Sequence, residues 1–272
     1  MQIINQEKNS INLLWTGGWD STFQLLQLLL IYQTRVTPFY LIDAERKSVG
    51  IEIRTLKRIK DQLFKDFPNA KELLDPVHFH TVTDISPDSE ITEAYQSIIK
   101  TTHVGNQYEW LARFCKEKGI TDMQLSIEKP DSTQEDYWGQ KLNRILSKSI
   151  INSQTVYRVG KKFKESDMYL IFQYFSFPIR EITKIEMGDI SDKHGWNNIM
   201  HMTWFCHNPT CNRKPCGICK PCQQIVNKGF GWRISHGRRV ISYYYREIFW
   251  PLKSRIKSIL IVLGLFNKKS DI

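Results

Sequence analysis

The first half of the chain alternates between short apolar runs and longer stretches of mixed character. The runs at 11–15, 36–42, 77–82 and 123–127 are brief and bounded by polar or turn-forming residues, which predicts strands. Between and after them, 21–32, 50–66, 107–118 and 136–149 read as helices. This alternation predicts an α/β fold with a parallel sheet, because crossovers of this length suit right-handed βαβ units. In such sheets, ligands gather beyond the carboxyl ends of the strands. The turn at 16–22 and Asp43 are expected on that edge. Residues 84–106 and 128–135 are rich in Pro, Ser, Thr and Asp and read as loops near the mouth of a site. The apolar, aromatic run 168–177 reads as a core strand or helix. Pro178 breaks it, and 181–187 reads as a helix carrying Lys184.

The turn after the first strand carries chemistry. Thr16-Gly17-Gly18-Trp19-Asp20-Ser21-Thr22 puts two glycines and several hydroxyls at the start of a helix. Free N–H groups and the helix dipole make such a terminus an anion site. Gly17 and Gly18 allow positive φ and close approach of the backbone to a phosphate. Ser21 and Thr22 can donate to the same phosphates, and Asp20 can hold Mg²⁺. The competing reading is an ordinary turn with Asp20 or Ser21 as N-cap. No Lys follows the glycines as a Walker A loop requires.

Cys206, Cys211, Cys216, Cys219 and Cys222 crowd into seventeen positions, the last three as Cys-x-x-Cys-x-x-Cys. Five clustered cysteines pair badly as disulfides, and the chain shows no secretory signal, so a metal site is expected. Zn²⁺ takes four tetrahedral thiolates, and Cys206, Cys216, Cys219 and Cys222 form the expected set. Cys211 and His207 are bystanders or substitutes. An iron–sulfur cluster is the competing occupant.

The glycine turn resembles the loop of the PP-loop ATP pyrophosphatases, whose core reads Ser-Gly-Gly-x-Asp-Ser, with Thr16 here in place of the Ser. Together with the cysteines, it resembles the 7-cyano-7-deazaguanine synthases. Their zinc segment corresponds to Thr203-Trp204-Phe205-Cys206 and Cys216-Gly217-Ile218-Cys219-Lys220-Pro221-Cys222. A preceding Thr-Lys pair matches Thr183-Lys184, and an Arg followed by a Glu after the second strand matches Arg46 and Glu52. The resemblance implies a Rossmann-like fold of the adenine nucleotide alpha hydrolase type, with helices on both faces of the sheet. It also implies ATP, Mg²⁺ and Zn²⁺ as cofactors. The expected reaction releases AMP and pyrophosphate and activates a carboxylate substrate for attack by ammonia or another nitrogen nucleophile. Thr16, Gly17, Gly18, Asp20, Ser21 and Thr22 would hold the nucleotide. Asp20, Ser21, Arg46 and Lys184 would carry the catalysis. The substrate stretches depart from the synthases: Val104-Gly105-Asn106-Gln107-Tyr108 stands where they carry Pro-Gly-Arg-Asn, and Asp136-Tyr137-Trp138-Gly139 where they carry Tyr-Pro-Asp-Cys-Arg. A different substrate is therefore in view. A tRNA-thiolating PP-loop enzyme and a non-catalytic nucleotide- and zinc-binding protein are the alternative functions.

Composition adds a boundary and a tail. The chain has 272 residues and 41% hydrophobic content, enough for a sizeable core, and its mean hydropathy of −0.39 argues against an integral membrane protein. The division expected is an ATPase domain over 1–200, a Cys-rich segment over 201–232 and a basic aromatic tail over 233–272. The net charge of +10 belongs mainly to the tail, where ten Lys or Arg from Lys228 to Lys269 face one acid, Glu247. Tyr243-Tyr244-Tyr245 among these cations suits a nucleic acid. The apolar stretch Ile259 to Phe266 between lysines suits peripheral contact of 251–269 with a membrane. A C-terminal helix packed on its own domain is the plainer reading. Clustered thiols imply a reducing compartment, so a cytoplasmic location is expected.

Overall fold

The computed structural model describes residues 10–130, 137–151, 153–249, 251–252 and 255–256. Close contacts divide the chain into two units. One holds the residues up to Glu45 and Val49–Trp204, the other Arg46–Ser48 and the chain from Phe205 onward.

The first unit is α/β. Its strands are β1 (Ile11–Leu14), β2 (Val36–Ile42), β3 (His78–Thr81), β4 (Met123–Gln124), β5 (Leu146–Ile151), β6 (Gln154–Val159) and β7 (Phe175–Ser176). Its helices are α1 (Trp19–Leu26), α2 (Val49–Asp66), α3 (Ser89–Ile99), α4 (Gln107–Glu117), α5 (Tyr137–Ile145), α6 (Asp167–Phe172), α7 (Lys184–Lys193) and α8 (Asn197–Met200). Five strands form a parallel sheet in the order β3-β2-β1-β4-β7. β1 is central because it is followed by a crossover on one side and joined by β4 on the other. The strand order therefore reverses between β1 and β4, the switch point at which sheets of this kind bind ligands.

Helices flank this sheet in two groups. α1, α7 and α8 contact one another, with α2 against α8, while α3, α4 and α6 pack together. Alternation along β2 sends side chains to both groups. Phe39 and Leu41 join the cluster formed with Ile91 of α3, Phe114 of α4 and Phe172 of α6. Tyr40 points the other way, and its hydroxyl donates to Glu52 of α2 at 2.8 Å. A buried ladder of amides fixes α1 to the sheet. Gln24 Nε2 donates to Gln124 Oε1 at 2.8 Å, and Gln124 Nε2 to Gln154 Oε1 at 3.0 Å. These two buried amide bonds favour one register, since a slip would break both.

Three expectations are corrected. Residues 84–106 are not all loop, because α3 occupies Ser89–Ile99. The Asp88 side chain caps it by accepting from the Ile91 N–H at 3.0 Å, and Ile91, Ala94 and Ile98 are its buried face. The helix expected over 136–149 ends at Ile145. The chain then forms β5, which pairs antiparallel with β6 from Leu146↔Val159 to Ile151↔Gln154. The apolar run 168–177 is both helix and strand, with Ile171, Phe172, Phe175 and Phe177 in the core. Part of the loop expected over 128–135 lies outside the described residues.

The second unit is small and irregular. A turn-rich segment carries Cys206, Cys211, Cys216 and Cys219 and leads into α9 (Lys220–Asn227), which holds Cys222, and α10 (His236–Tyr244). Among the described residues, Ile225, Phe230 and Ile234 are its buried apolar residues outside the cysteines. The Arg233 guanidinium lies 4.9 Å from the centre of the Phe205 ring, a cation–π contact.

Candidate nucleotide site and candidate metal centre

β1 ends at Leu14, and the chain turns at once into α1. Gly17 makes this possible with φ of +69°. A side chain there would be strained by the backbone and would also meet Leu56 and Thr55 at 3.3 Å. The turn is braced by its own groups. The Trp204 N–H donates to the Gly17 carbonyl at 2.9 Å. The Thr16 N–H donates to Ser21 Oγ at 3.3 Å, and the Thr16 and Ser21 hydroxyls lie 3.3 Å apart. Gly18 is the N-cap of α1, and no side chain caps the helix. Its first N–H groups thus meet the conditions for an anion site. Thr22 is fully buried, and its hydroxyl accepts from the Trp15 indole N–H at 3.2 Å.

Three neighbouring strands bring charge to this edge. Asp20 follows β1, Glu128 follows β4 and Lys184 follows β7. Lys184 opens α7 behind Thr183, which forms a capping box with Glu186. The Lys184 ammonium donates to Asp20 Oδ1 and lies 3.3 Å from Glu128 Oε1. Burial alone would lower the Lys184 pKa. The charges of Asp20 and Glu128 outweigh it and hold the group above its ordinary value. The ammonium is therefore present throughout the neutral range, and its stabilising effect is lost only as pH rises through that raised value. The chain near Glu128 is itself held, because buried Arg180 donates to the Glu128 carbonyl at 2.9 Å, to the Gly139 carbonyl at 2.8 Å and to Asn143 Oδ1 at 2.7 Å.

Of the residues expected from sequence, Thr16, Gly17, Gly18, Asp20, Ser21, Thr22 and Lys184 come together here. Arg46 belongs to the second unit. Glu128 was missed. It stands in an undistinguished Ile-Glu-Lys-Pro stretch, and only the placement of β4 beside β1 brings it to the loop.

The second unit gathers Cys206, Cys216, Cys219 and Cys222, with all four sulfurs within 4.8 Å of one another. The Cys216–Cys222 and Cys206–Cys219 sulfur pairs are each 3.8 Å apart. A tetrahedral zinc with bonds of about 2.3 Å has ligand–ligand edges of about 3.8 Å, so the donor set and spacing fit a single ion such as zinc. A four-iron cluster gives each thiolate its own iron and spreads them farther. Backbone N–H groups support the sulfurs. Cys216 donates to Cys206 Sγ at 3.2 Å, while Ile218 and Cys219 donate to Cys216 Sγ at 3.4 and 3.3 Å. Hydrogen bonds from Cys206 and Cys222 hold the Cys219 thiol far below its ordinary value. Hydrogen bonds with Cys206 and Cys219 drive the Cys222 thiol up. Without a cation the quartet cannot ionise together, and a divalent metal removes that conflict.

Gly217, with φ of +83°, makes the turn inside the quartet. A Cβ there would lie 2.6 Å from the Arg238 carbonyl oxygen, so the glycine lets α10 pack directly on the cysteine segment. Cys211 is exposed and stands outside the quartet. Cys115, in α4, is buried, and burial pushes its thiol up to about 12, as suits a small core residue rather than a nucleophile.

No protein-family model and no curated protein matches the chain.

Proposed function

We propose that this chain is an ATP-dependent enzyme that cleaves ATP to AMP and pyrophosphate and activates a carboxylate for attack by a nitrogen nucleophile. The fold would then be the Rossmann-like, adenine nucleotide alpha hydrolase type, consistent with the strand order and its switch point. The observation that carries the reading is the meeting of an uncapped, glycine-built helix terminus with Asp20, Glu128 and the buried Lys184. A phosphate site needs donors, and pyrophosphate release needs fixed cations and a place for a metal.

In this reading a substrate carboxylate oxygen attacks the α-phosphorus of ATP. The bond from that phosphorus to its bridging oxygen breaks, and pyrophosphate leaves with the oxygen. The product is an acyl-adenylate. The nitrogen of ammonia then attacks the acyl carbon, AMP departs with its oxygen and a proton is lost to give an amide. Repetition on the amide oxygen would release a second pyrophosphate, and loss of AMP and of both N–H protons would give a nitrile. The N–H groups at the start of α1 and the Ser21 hydroxyl would bind phosphate oxygens. Lys184 would place its ammonium where charge grows on the departing pyrophosphate. Asp20 and Glu128 would hold Mg²⁺, whose chemistry is to screen the phosphates and stabilise the leaving group. Catalysis is then by position and electrostatics, with no covalent intermediate on the protein.

The substrate proposed is a carboxylate like that of the deazaguanine synthases, or one altered by the departures at 104–108 and 136–139. The thiolating alternative needs a reactive sulfur carrier, and the buried Cys115 and the compact Cys quartet do not favour it. Exchange of labelled pyrophosphate into ATP tests the first step alone. Exchange that depends on an added carboxylate is expected. Exchange that is absent with every carboxylate tried, while ATP binds, would leave only a nucleotide-binding role.

A further inference from the structure

The second unit leaves an apolar surface open. Ile241, Tyr244, Ile248, Leu252 and Ile256 recur at three- and four-residue intervals, and each is between 47% and 57% exposed. The residues bearing them are helical, from α10 through the turn Tyr245–Phe249 to 251, 252, 255 and 256. A helix packed on its own domain buries such residues, as α10 does only with Ser242. An exposed apolar stripe of this length marks a surface that meets something else.

Its charge says what. Arg238, Arg239, Arg246 and Arg255 accompany the stripe, and the single acid between Lys228 and Lys269, Glu247, is paired with Arg246 at 2.7 Å. The partner must therefore be both anionic and apolar. A nucleic acid offers anions and flat bases that could stack on the exposed rings of Tyr243, Tyr244 and Phe249. It gives nothing to the equally exposed aliphatic side chains of Ile241, Ile248, Leu252 and Ile256, which acyl chains would cover. A second copy of the chain would bring the same cations together. In sequence, Ile259 to Phe266 are apolar at every position and are flanked by Lys257 and by Lys268-Lys269, a composition that suits an anionic bilayer surface. Eight such residues are too few to cross a bilayer, and no described helix is long and apolar enough to do so.

We propose that the surface from Ile241 to Ile256 docks the protein on anionic lipid bilayers. Aliphatic and tyrosine side chains enter the acyl boundary while the arginines meet lipid phosphates. The metal centre sets this surface, because α10 is seated on the cysteine turn at Gly217. The proposal does not depend on the ATP chemistry.

Cosedimentation of the full-length, metal-loaded chain with vesicles tests it. The chain is expected to pellet with phosphatidylcholine vesicles that contain phosphatidylglycerol and to stay in solution with phosphatidylcholine alone. Ile248→Ser combined with Leu252→Ser should weaken binding by about tenfold or more with metal content unchanged. Arg239→Gln combined with Arg255→Gln should remove the preference for the anionic lipid without altering the fold. Failure of the parent chain to pellet with anionic vesicles would overturn the proposal. So would equal binding by the serine variant, or a dimer that this variant dissolves in a chain that ignores vesicles. Tight capture of single-stranded RNA by a chain that ignores vesicles would overturn it too.

Discussion

Cys216→Ser is expected to strip the metal and unfold the second unit while the parallel-sheet unit keeps its structure. Cys216 is buried, lies 3.8 Å from Cys222, and its sulfur accepts two backbone N–H groups, so serine in its place removes a ligand that the turn holds in position. Cys211 is exposed and outside the quartet. The apolar core of this unit rests on few residues, and the cysteine segment has little regular structure of its own. A thiolate zinc site supplies an apparent binding free energy on the order of 10–16 kcal/mol near neutral pH, more than such a core yields alone. Limited trypsin digestion reads the result, since Lys and Arg are frequent beyond Phe205. Rapid cleavage there, with a surviving fragment of the first unit and loss of one zinc per chain, is the expected outcome. Chelation of the parent protein should reproduce it. A metal-free variant with the parent's digestion pattern would show that the quartet is not what holds this unit.

The second large effect concerns Lys184. Lys184→Met should lower the rate of pyrophosphate formation by about 10²–10³, the usual loss when a fixed group facing developing charge is removed. It should also destabilise the first unit by on the order of 3 kcal/mol, because Asp20 and Glu128 would then face each other without the ammonium. The two effects separate in a double variant. Glu128→Gln added to Lys184→Met should recover much of the stability and none of the activity. Asp20→Ala should lose activity as severely, since Asp20 is both a Lys184 partner and a proposed Mg²⁺ ligand. Full activity of Lys184→Met at a temperature where it remains folded would mean that Lys184 acts only through folding.

The features legible in sequence are those specified locally. Gly17 between a short apolar strand and a helix announces the turn, since few other residues accept its φ of +69°. Gly18, also expected to take positive φ, is extended at φ −78°. The cysteine quartet was legible for the same reason, being set by spacing within seventeen positions. The positions of β1, β2, β3 and α2 follow from simple apolar patterns. Features that depend on distant partners were not legible. Glu128 meets Lys184 only because β4 and β7 lie side by side. β5 was hidden because Leu146 and Ile150 continue the apolar pattern of α5, and only pairing with β6 makes the segment a strand. α3 was masked by the polar composition of its flanks, although Asp88 three residues before Ile91 is a cap signal in hindsight. Arg46, expected beside the nucleotide from the resemblance, is grouped with the second unit.

The most direct test is analysis of phosphorus species and of the base after incubating the full-length protein with ATP, Mg²⁺, ammonia and 7-carboxy-7-deazaguanine. AMP and pyrophosphate in equal amounts are expected, with a carboxylate converted to an amide or nitrile. If this base returns unchanged, the same products should appear with another carboxylate, because the loop chemistry does not depend on residues 104–108 or 136–139. ADP and phosphate in place of AMP and pyrophosphate would contradict the proposed activation of a carboxylate at this site.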